Sequence, residues 1–247
     1  MRYFIEIAYN GKNYCGWQNQ PNGISVQEIL EKALSALLGE AIHVTGAGRT
    51  DAGVHAKQLF AHFDYSEIKE MEKLVHRLNA FLSKDISVKN LFKVKEDAHA
   101  RFDAISRGYE YHITQKKDPF LEGLAYEIYL KPDLDLMNKA AAILCSYQDF
   151  QSFSRSKTDV KTYYCTIEKA IWERKDTLLI FTISANRFLR NMVRAIVGTL
   201  LEIGYGKLTL EDFHQIIESK NRSNAGASAP AHGLYLTKVV YPESIKL

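Results

Sequence analysis

Between positions 46 and 55 the chain reads Gly46-Ala47-Gly48-Arg49-Thr50-Asp51-Ala52-Gly53-Val54-His55. Three glycines in eight positions ask for a sharply turning backbone or the close approach of another group. Into that frame are set a cation, Arg49, a hydroxyl, Thr50, a carboxylate, Asp51, and an imidazole, His55. No long apolar side chain appears before Val54. An arginine two residues from an aspartate suits a carboxylate held ionised for chemistry, so Asp51 is the first candidate for a catalytic group. The competing reading is a structural turn in which Asp51 caps the backbone and Arg49 is solvated.

Other chemistries fit this segment less well. Gly46-x-Gly48 begins like a dinucleotide fingerprint, but Asp51 stands in the place of the third glycine and would repel a pyrophosphate. No Lys-Ser/Thr follows as in a phosphate-binding P-loop. His55 and His62 are seven residues apart with no second acid nearby, which is no familiar metal spacing. A glycosidase would need a second carboxylate, and none is adjacent in sequence.

Two further patterns carry charge. A helix is expected over residues 186–204. At about 100° per residue, Arg187, Arg190, Arg194 and Gly198 would share one stripe of it while Phe188, Leu189, Met192, Val193, Ile196, Val197 and Leu200 cover the rest. Arginine donates two parallel hydrogen bonds to phosphate or carboxylate; the plainer reading is an arginine-rich solvent face. Rings also alternate with cations in Arg101-Phe102, in Arg107-Gly108-Tyr109-Glu110-Tyr111-His112 and in Phe153-Ser154-Arg155-Ser156-Lys157. RNA binders stack unpaired bases on such rings and track phosphates with such cations. Tyr109 and Tyr111 share one face of an expected strand, where tyrosine is also common for packing alone. His99 and His232 read equally well as satisfied loop histidines.

The elements that must position these groups follow from periodicity. Tyr3, Ile5, Ile7 and Tyr9 alternate on a half-buried strand over 2–9. Ser25-Val26-Gln27-Glu28 reads as a capping box opening a helix that Gly39 stops. Strands are expected over 42–46 and 58–65, a helix over 66–82 and a strand over 86–95. That βαββαβ order means an antiparallel sheet with both helices on one face. The second half reads as strands over 107–115 and 124–130, a helix over 135–145, and a hairpin of 162–173 with 177–185. The arginine-bearing helix, a shorter helix over 211–219, a loop over 220–232 and a strand over 234–241 complete it. The expectation is two α+β domains, 1–100 carrying the Asp51 loop and 101–247 carrying Tyr109 and Arg194, with no flexible tether between them.

Composition narrows the class. With 46% hydrophobic and 25% charged residues in 247, the chain has the balance of a folded globular protein and argues against disorder. A formal net charge of +3 permits a nucleic-acid partner without demanding one. Three scattered cysteines, Cys15, Cys145 and Cys165, form no Cys-x-x-Cys pair, which disfavours a disulfide scaffold or zinc ribbon and points to a reducing cytoplasm. The first residues alternate like a strand rather than a signal peptide. No apolar run is long enough to span a membrane.

Eight segments in order resemble the TruA-type tRNA pseudouridine synthases. They are Tyr9-Asn10-Gly11 with Tyr14-Cys15-Gly16-Trp17-Gln18; Ser25-Val26-Gln27; Gly48-Arg49-Thr50-Asp51-Ala52-Gly53-Val54-His55-Ala56; and His99-Ala100-Arg101-Phe102. Arg107-Gly108-Tyr109-Glu110-Tyr111, Asp149-Phe150-Gln151-Ser152-Phe153, Asn191-Met192-Val193-Arg194 and Ala229-Pro230-Ala231-His232-Gly233-Leu234-Tyr235-Leu236 continue the series. The resemblance implies two ferredoxin/RRM-like domains with an RNA-binding cleft between them. It implies a cytoplasmic homodimer, free of metal and cofactor, that isomerises uridine at positions 38, 39 and 40 of the tRNA anticodon stem–loop. On this pattern Asp51 is the catalytic aspartate, Tyr109 the tyrosine that contacts the base, and Arg194 the arginine that pairs with the carboxylate. Arg49 would help displace the base from its stack. Asn10, Arg187 and Cys165 depart from the usual pattern, and none is a matched site residue. A non-catalytic RNA-binding module on the same fold is the alternative from another class; an aspartate-dependent glycosidase is a third.

Overall fold

A computed structural model describes residues 1–155 and 161–247. Ser156 and Lys157, the end of one ring-and-cation segment, lie outside the described residues. The chain divides into two compact units, Met1–Ser106 with Tyr235–Leu247, and Arg107–Leu234. Both mix α and β with mainly antiparallel ladders, and five α-helices occur among the described residues.

The first unit opens with β1 (Arg2–Tyr9), α1 (Val26–Leu38), β2 (Thr45–Gly46), β3 (His55–Asp64), α2 (Met71–Phe81) and β4 (Ile86–Val94). β1 lies between β3 and β4, antiparallel to both, and β2 flanks β3. The order of these four strands is β4-β1-β3-β2. Ser25 caps α1 by accepting the Glu28 N–H, and Gly39 ends it in the left-handed region at φ 79°. The Glu28 carboxylate also pairs with Lys32 one turn along. A strand over 42–46 shrinks to Thr45–Gly46. The Ile42 and Val44 N–H groups donate to Ser35 Oγ and Glu31 Oε1 on α1, so no ladder can use them. α2 starts five residues later than expected; the Ile68 N–H is taken by the Tyr3 hydroxyl at 3.0 Å. Phe4, on the face of β1 expected to be solvated, is buried among Phe60, Phe92 and Tyr241.

The second unit holds β5 (Ser106–Thr114) from Arg107 onward, β6 (Tyr126–Glu127), α3 (Leu134–Ile143), β7 (Ile167–Lys175), β8 (Leu178–Ala185), α4 (Met192–Gly204) and α5 (Leu210–Glu218). β7 and β8 form the expected hairpin, and β8 pairs antiparallel with β5. The expected strand over 124–130 is reduced to β6. A reciprocal capping box is present at α5, where Thr209 and Asp212 satisfy each other's N–H groups.

α4 begins at Met192 rather than at residue 186, and this corrects the arginine stripe. Asn186 is held to the strand side, its N–H donating to Thr166 O and its Oδ1 accepting the Thr166 N–H. Asn191 then sits at φ 66°, a left-handed conformation from which a helix starts but through which none runs. Only Arg194 and Gly198 of the four lie on α4; Arg187 and Arg190 belong to the segment before it.

The last strand, β9 (Leu234–Val240), runs into the first unit, whereas sequence order places it with the second half. It pairs parallel with the start of β3, His55 opposite Tyr235 and Ala56 opposite Leu236. The Asp51 loop therefore ends on a strand start that is paired on one side by the far end of the chain.

Candidate active site

The Asp51 loop connects β2 to β3, and backbone geometry shapes it at both ends. Asp51 O accepts the Val54 N–H at 3.2 Å, closing a turn whose third residue, Gly53, has φ 78°. A side chain at Gly53 would be strained there, as at the same place in a type II turn. Gly46 answers a different need: a Cβ on it would lie 2.3 Å from Trp17 Nε1, so the glycine admits the indole. Among the described residues a Cβ at Gly48 would meet nothing within 4 Å.

A second segment, 9–17, grips this loop from the side. Thr50 Oγ1 accepts the Trp17 N–H at 3.0 Å and shares a hydrogen bond with the Tyr9 hydroxyl at 2.9 Å. The Gly53 N–H donates to Tyr14 O, and the Thr50 carbonyl occupies the place that a Cβ on Gly16 would fill. His55 Nδ1 accepts the Gly11 N–H at 3.0 Å, which makes Nδ1 the unprotonated nitrogen of that ring. The ring is 1% exposed and stacks on Tyr235 at 4.6 Å. His55 thus holds two segments together and faces no open surface. Asp51 is half-buried on this frame and Arg49 beside it is exposed.

In the second unit the structure separates the two tyrosines of β5. Tyr111 is fully buried, its hydroxyl donating to Pro230 O at 2.8 Å, and burial pushes its phenol well above the usual range. Tyr109 is half-buried, opposite Ile183 in the ladder, with its ring edge-on to Phe188 at 5.1 Å. Tyr111 is therefore core, and Tyr109 keeps an accessible side chain.

Arg194 is fastened at its root. Its Nε donates to Ala229 O at 2.7 Å, while the Ala229 N–H donates to Arg194 O at 2.9 Å. The 225–229 strap that supplies these groups is itself pinned to α4. Gly226 N–H donates to Thr199 Oγ1, Asn191 Nδ2 to Ser228 Oγ, and Arg222 to Ser228 Oγ and to the carbonyls of Ala225 and Gly226. Gly198 lets the strap lie against the helix, for a Cβ there would be 1.8 Å from Ala227 O. The outcome is a guanidinium whose plane is set by the backbone.

Asp51 and Arg49 thus share one loop of the first unit, and Tyr109 and Arg194 belong to the second. Comparison with known proteins gives these residues a context. The family model for tRNA pseudouridine synthase matches residues 6–103 and 140–242. The chain belongs to the tRNA pseudouridine synthase family. It is 54% identical to a tRNA pseudouridine synthase A of Porphyromonas gingivalis, covering 100% of this chain and 99% of that one. A relative of the same name from Bacteroides thetaiotaomicron is 54% identical over 99% of this chain and 92% of its own length. One from Acetivibrio thermocellus is 40% identical over 95% and 97%. As a member of this synthase family the protein is an enzyme, an isomerase.

Residue types alone did not single out the groups that hold these side chains. Tyr9 and Trp17 look like core aromatics, and Ser228 and Arg222 like loop residues. The usable signal for the first pair was the spacing of Gly11 and Gly16 around a tyrosine and a tryptophan. No comparable signal marks the second.

Proposed function

We propose that this protein converts uridine to pseudouridine in tRNA, at positions 38, 39 and/or 40 of the anticodon stem–loop, with Asp51 as its one catalytic carboxylate. The observation that carries the reading is the Asp51 loop itself. It is a carboxylate on a short turn, gripped through its neighbours Thr50 and Gly53 by a second segment and left half-exposed. The names and full-length coverage of the relatives support tRNA as the substrate.

The reaction breaks the N1–C1′ glycosidic bond, turns the uracil and rejoins C1′ to C5; the C5 proton passes to solvent and N1 takes one up, so the composition is unchanged. An ionised carboxylate serves by attack on C1′ or by promoting elimination across the sugar. Arg194 is the cation assigned to pair with that carboxylate, and its fixed fork suits the task. Tyr109 stacks on the flipped base so that the detached uracil is retained. Arg49, exposed beside Asp51, fills the place the base leaves. We read the enzyme as a cytoplasmic homodimer with ferredoxin-like halves; the β4-β1-β3-β2 order supports this for the first unit.

Release of tritium from tRNA labelled at uracil C5 tests the proposal. Wild-type protein should release label, and Asp51→Asn should slow release by several orders of magnitude with tRNA binding retained. No release by the wild type, or equal release by Asp51→Asn, sinks the reading. Binding without release is the behaviour of a non-catalytic RNA module.

A further inference from the structure

We propose that Tyr9 and Thr50 are a positioning pair for the reaction, two hydroxyls that fix where Asp51 stands. The inference rests on the reading of Asp51 as the catalytic carboxylate. The loop around Asp51 has little apolar matter to pack: Ala47 and Val54 are buried, but Arg49 and Ala52 are exposed. Its placement must therefore come largely from hydrogen bonds.

Thr50 Oγ1 is the meeting point of two of them, one residue from Asp51. The Trp17 N–H reaches it at 3.0 Å and the Tyr9 hydroxyl at 2.9 Å. Both anchors are rigid. Tyr9 ends β1 with its ring buried, and Trp17 is 2% exposed with its indole against Gly46. One hydroxyl tied to two core aromatics leaves Thr50 little freedom, and Asp51 inherits that restriction through the backbone. A hydroxyl of threonine or serine can accept the Trp17 N–H and still bond Tyr9; a valine of the same shape can do neither.

Misplacing a catalytic group by about 1 Å costs on the order of a hundredfold in rate. Thr50→Val and Tyr9→Phe should accordingly lower kcat by roughly ten- to a hundredfold while the Kd for tRNA stays within about twofold. Thr50→Ser, which keeps the hydroxyl, should recover most of the rate. Because the two hydroxyls act on one bond, the double variant should lose little more than the worse single one. Tyr9→Phe leaves the bond from Trp17 intact, so it decides alone if Thr50→Val fails to fold.

The proposal is overturned by a wild-type kcat in Tyr9→Phe, by a Kd that rises as far as kcat falls, or by a Thr50→Ser as impaired as Thr50→Val. Asp51→Asn assayed in parallel separates the two ideas. An active Asp51→Asn removes the reading of Asp51. An inactive one beside a full-rate Tyr9→Phe removes only the positioning pair.

Discussion

Replacing Gly198 by alanine sets two effects of known sign against each other. In an open helix the change would favour folding by about 1 kcal/mol, because glycine is the poorer helix former. Here the added Cβ would stand 1.8 Å from Ala227 O, on the strap that crosses α4. A carbon and a carbonyl oxygen need roughly 3.3 Å, so the strap must retreat by about 1.5 Å. Three hydrogen bonds depend on its present place: Gly226 N–H to Thr199 Oγ1, Ala229 N–H to Arg194 O, and Arg194 Nε to Ala229 O. At about 1 kcal/mol each their loss outweighs the gain in propensity and leaves a net cost of about 2 kcal/mol. For a chain of this size that lowers Tm by roughly 4–8 °C. Thermal unfolding followed by circular dichroism measures it, with Gly48→Ala as the control, since a Cβ there meets nothing within 4 Å among the described residues and should leave Tm unchanged. A Gly198→Ala protein as stable as wild type or more so would mean that the strap yields freely, and the argument that it holds Arg194 would fail with it.

Arg194→Lys should impair turnover although charge is kept, because lysine has no Nε–H to donate to Ala229 O and no planar fork; a wild-type rate would refute that. His62 is buried and its pKa is pushed down to about 4, chiefly by desolvation and then by Arg2 and His99. The unfolded chain takes up a proton near pH 6.5 that the native state refuses, so stability is full above that pH and falls as pH drops toward 4. After discounting for solvent screening the loss is about 2 kcal/mol. Denaturant unfolding between pH 7.5 and 4.5 should show the slope in the wild type and less of it in His62→Gln; similar slopes in both would assign it elsewhere. Burial pushes the Cys165 thiol up to about 11 and leaves it 1% exposed, whereas Cys145 is exposed. Thiol alkylation at pH 8, read by intact mass and peptide mapping, should modify Cys145 in the native protein and Cys165 only on unfolding; equal rates would contradict its burial.

What was legible in the sequence was what neighbouring residues decide among themselves. Ser25 and Gly39 bound α1 because a cap and a left-handed stop act within one turn. β1 and β4 follow from alternation for the same reason. The errors fall where a backbone group is claimed by something distant. Residues 186–191 carry helical periodicity, yet Asn186 is bonded to Thr166, twenty residues back, and the helix has to wait until Asn191 has turned. Ile42 and Val44 alternate like a strand, but α1 has already taken their N–H groups. β9 reads as a strand in any context, and nothing in its pattern tells that it will pair with His55 and Ala56. The same division runs through the site. Asp51 stands out as a candidate because a carboxylate among glycines is unusual in itself. Its support could not, since Trp17 contributes a backbone N–H, Gly16 an absent side chain and Tyr9 one oxygen on a ring that otherwise belongs to the core. A chemical group announces itself by residue type, whereas the contacts that hold it are mostly backbone and are fixed only when the chain has closed on itself. Substitutions at Tyr9, Gly16 and Thr50 should for that reason resemble core mutations in sequence and active-site mutations in rate.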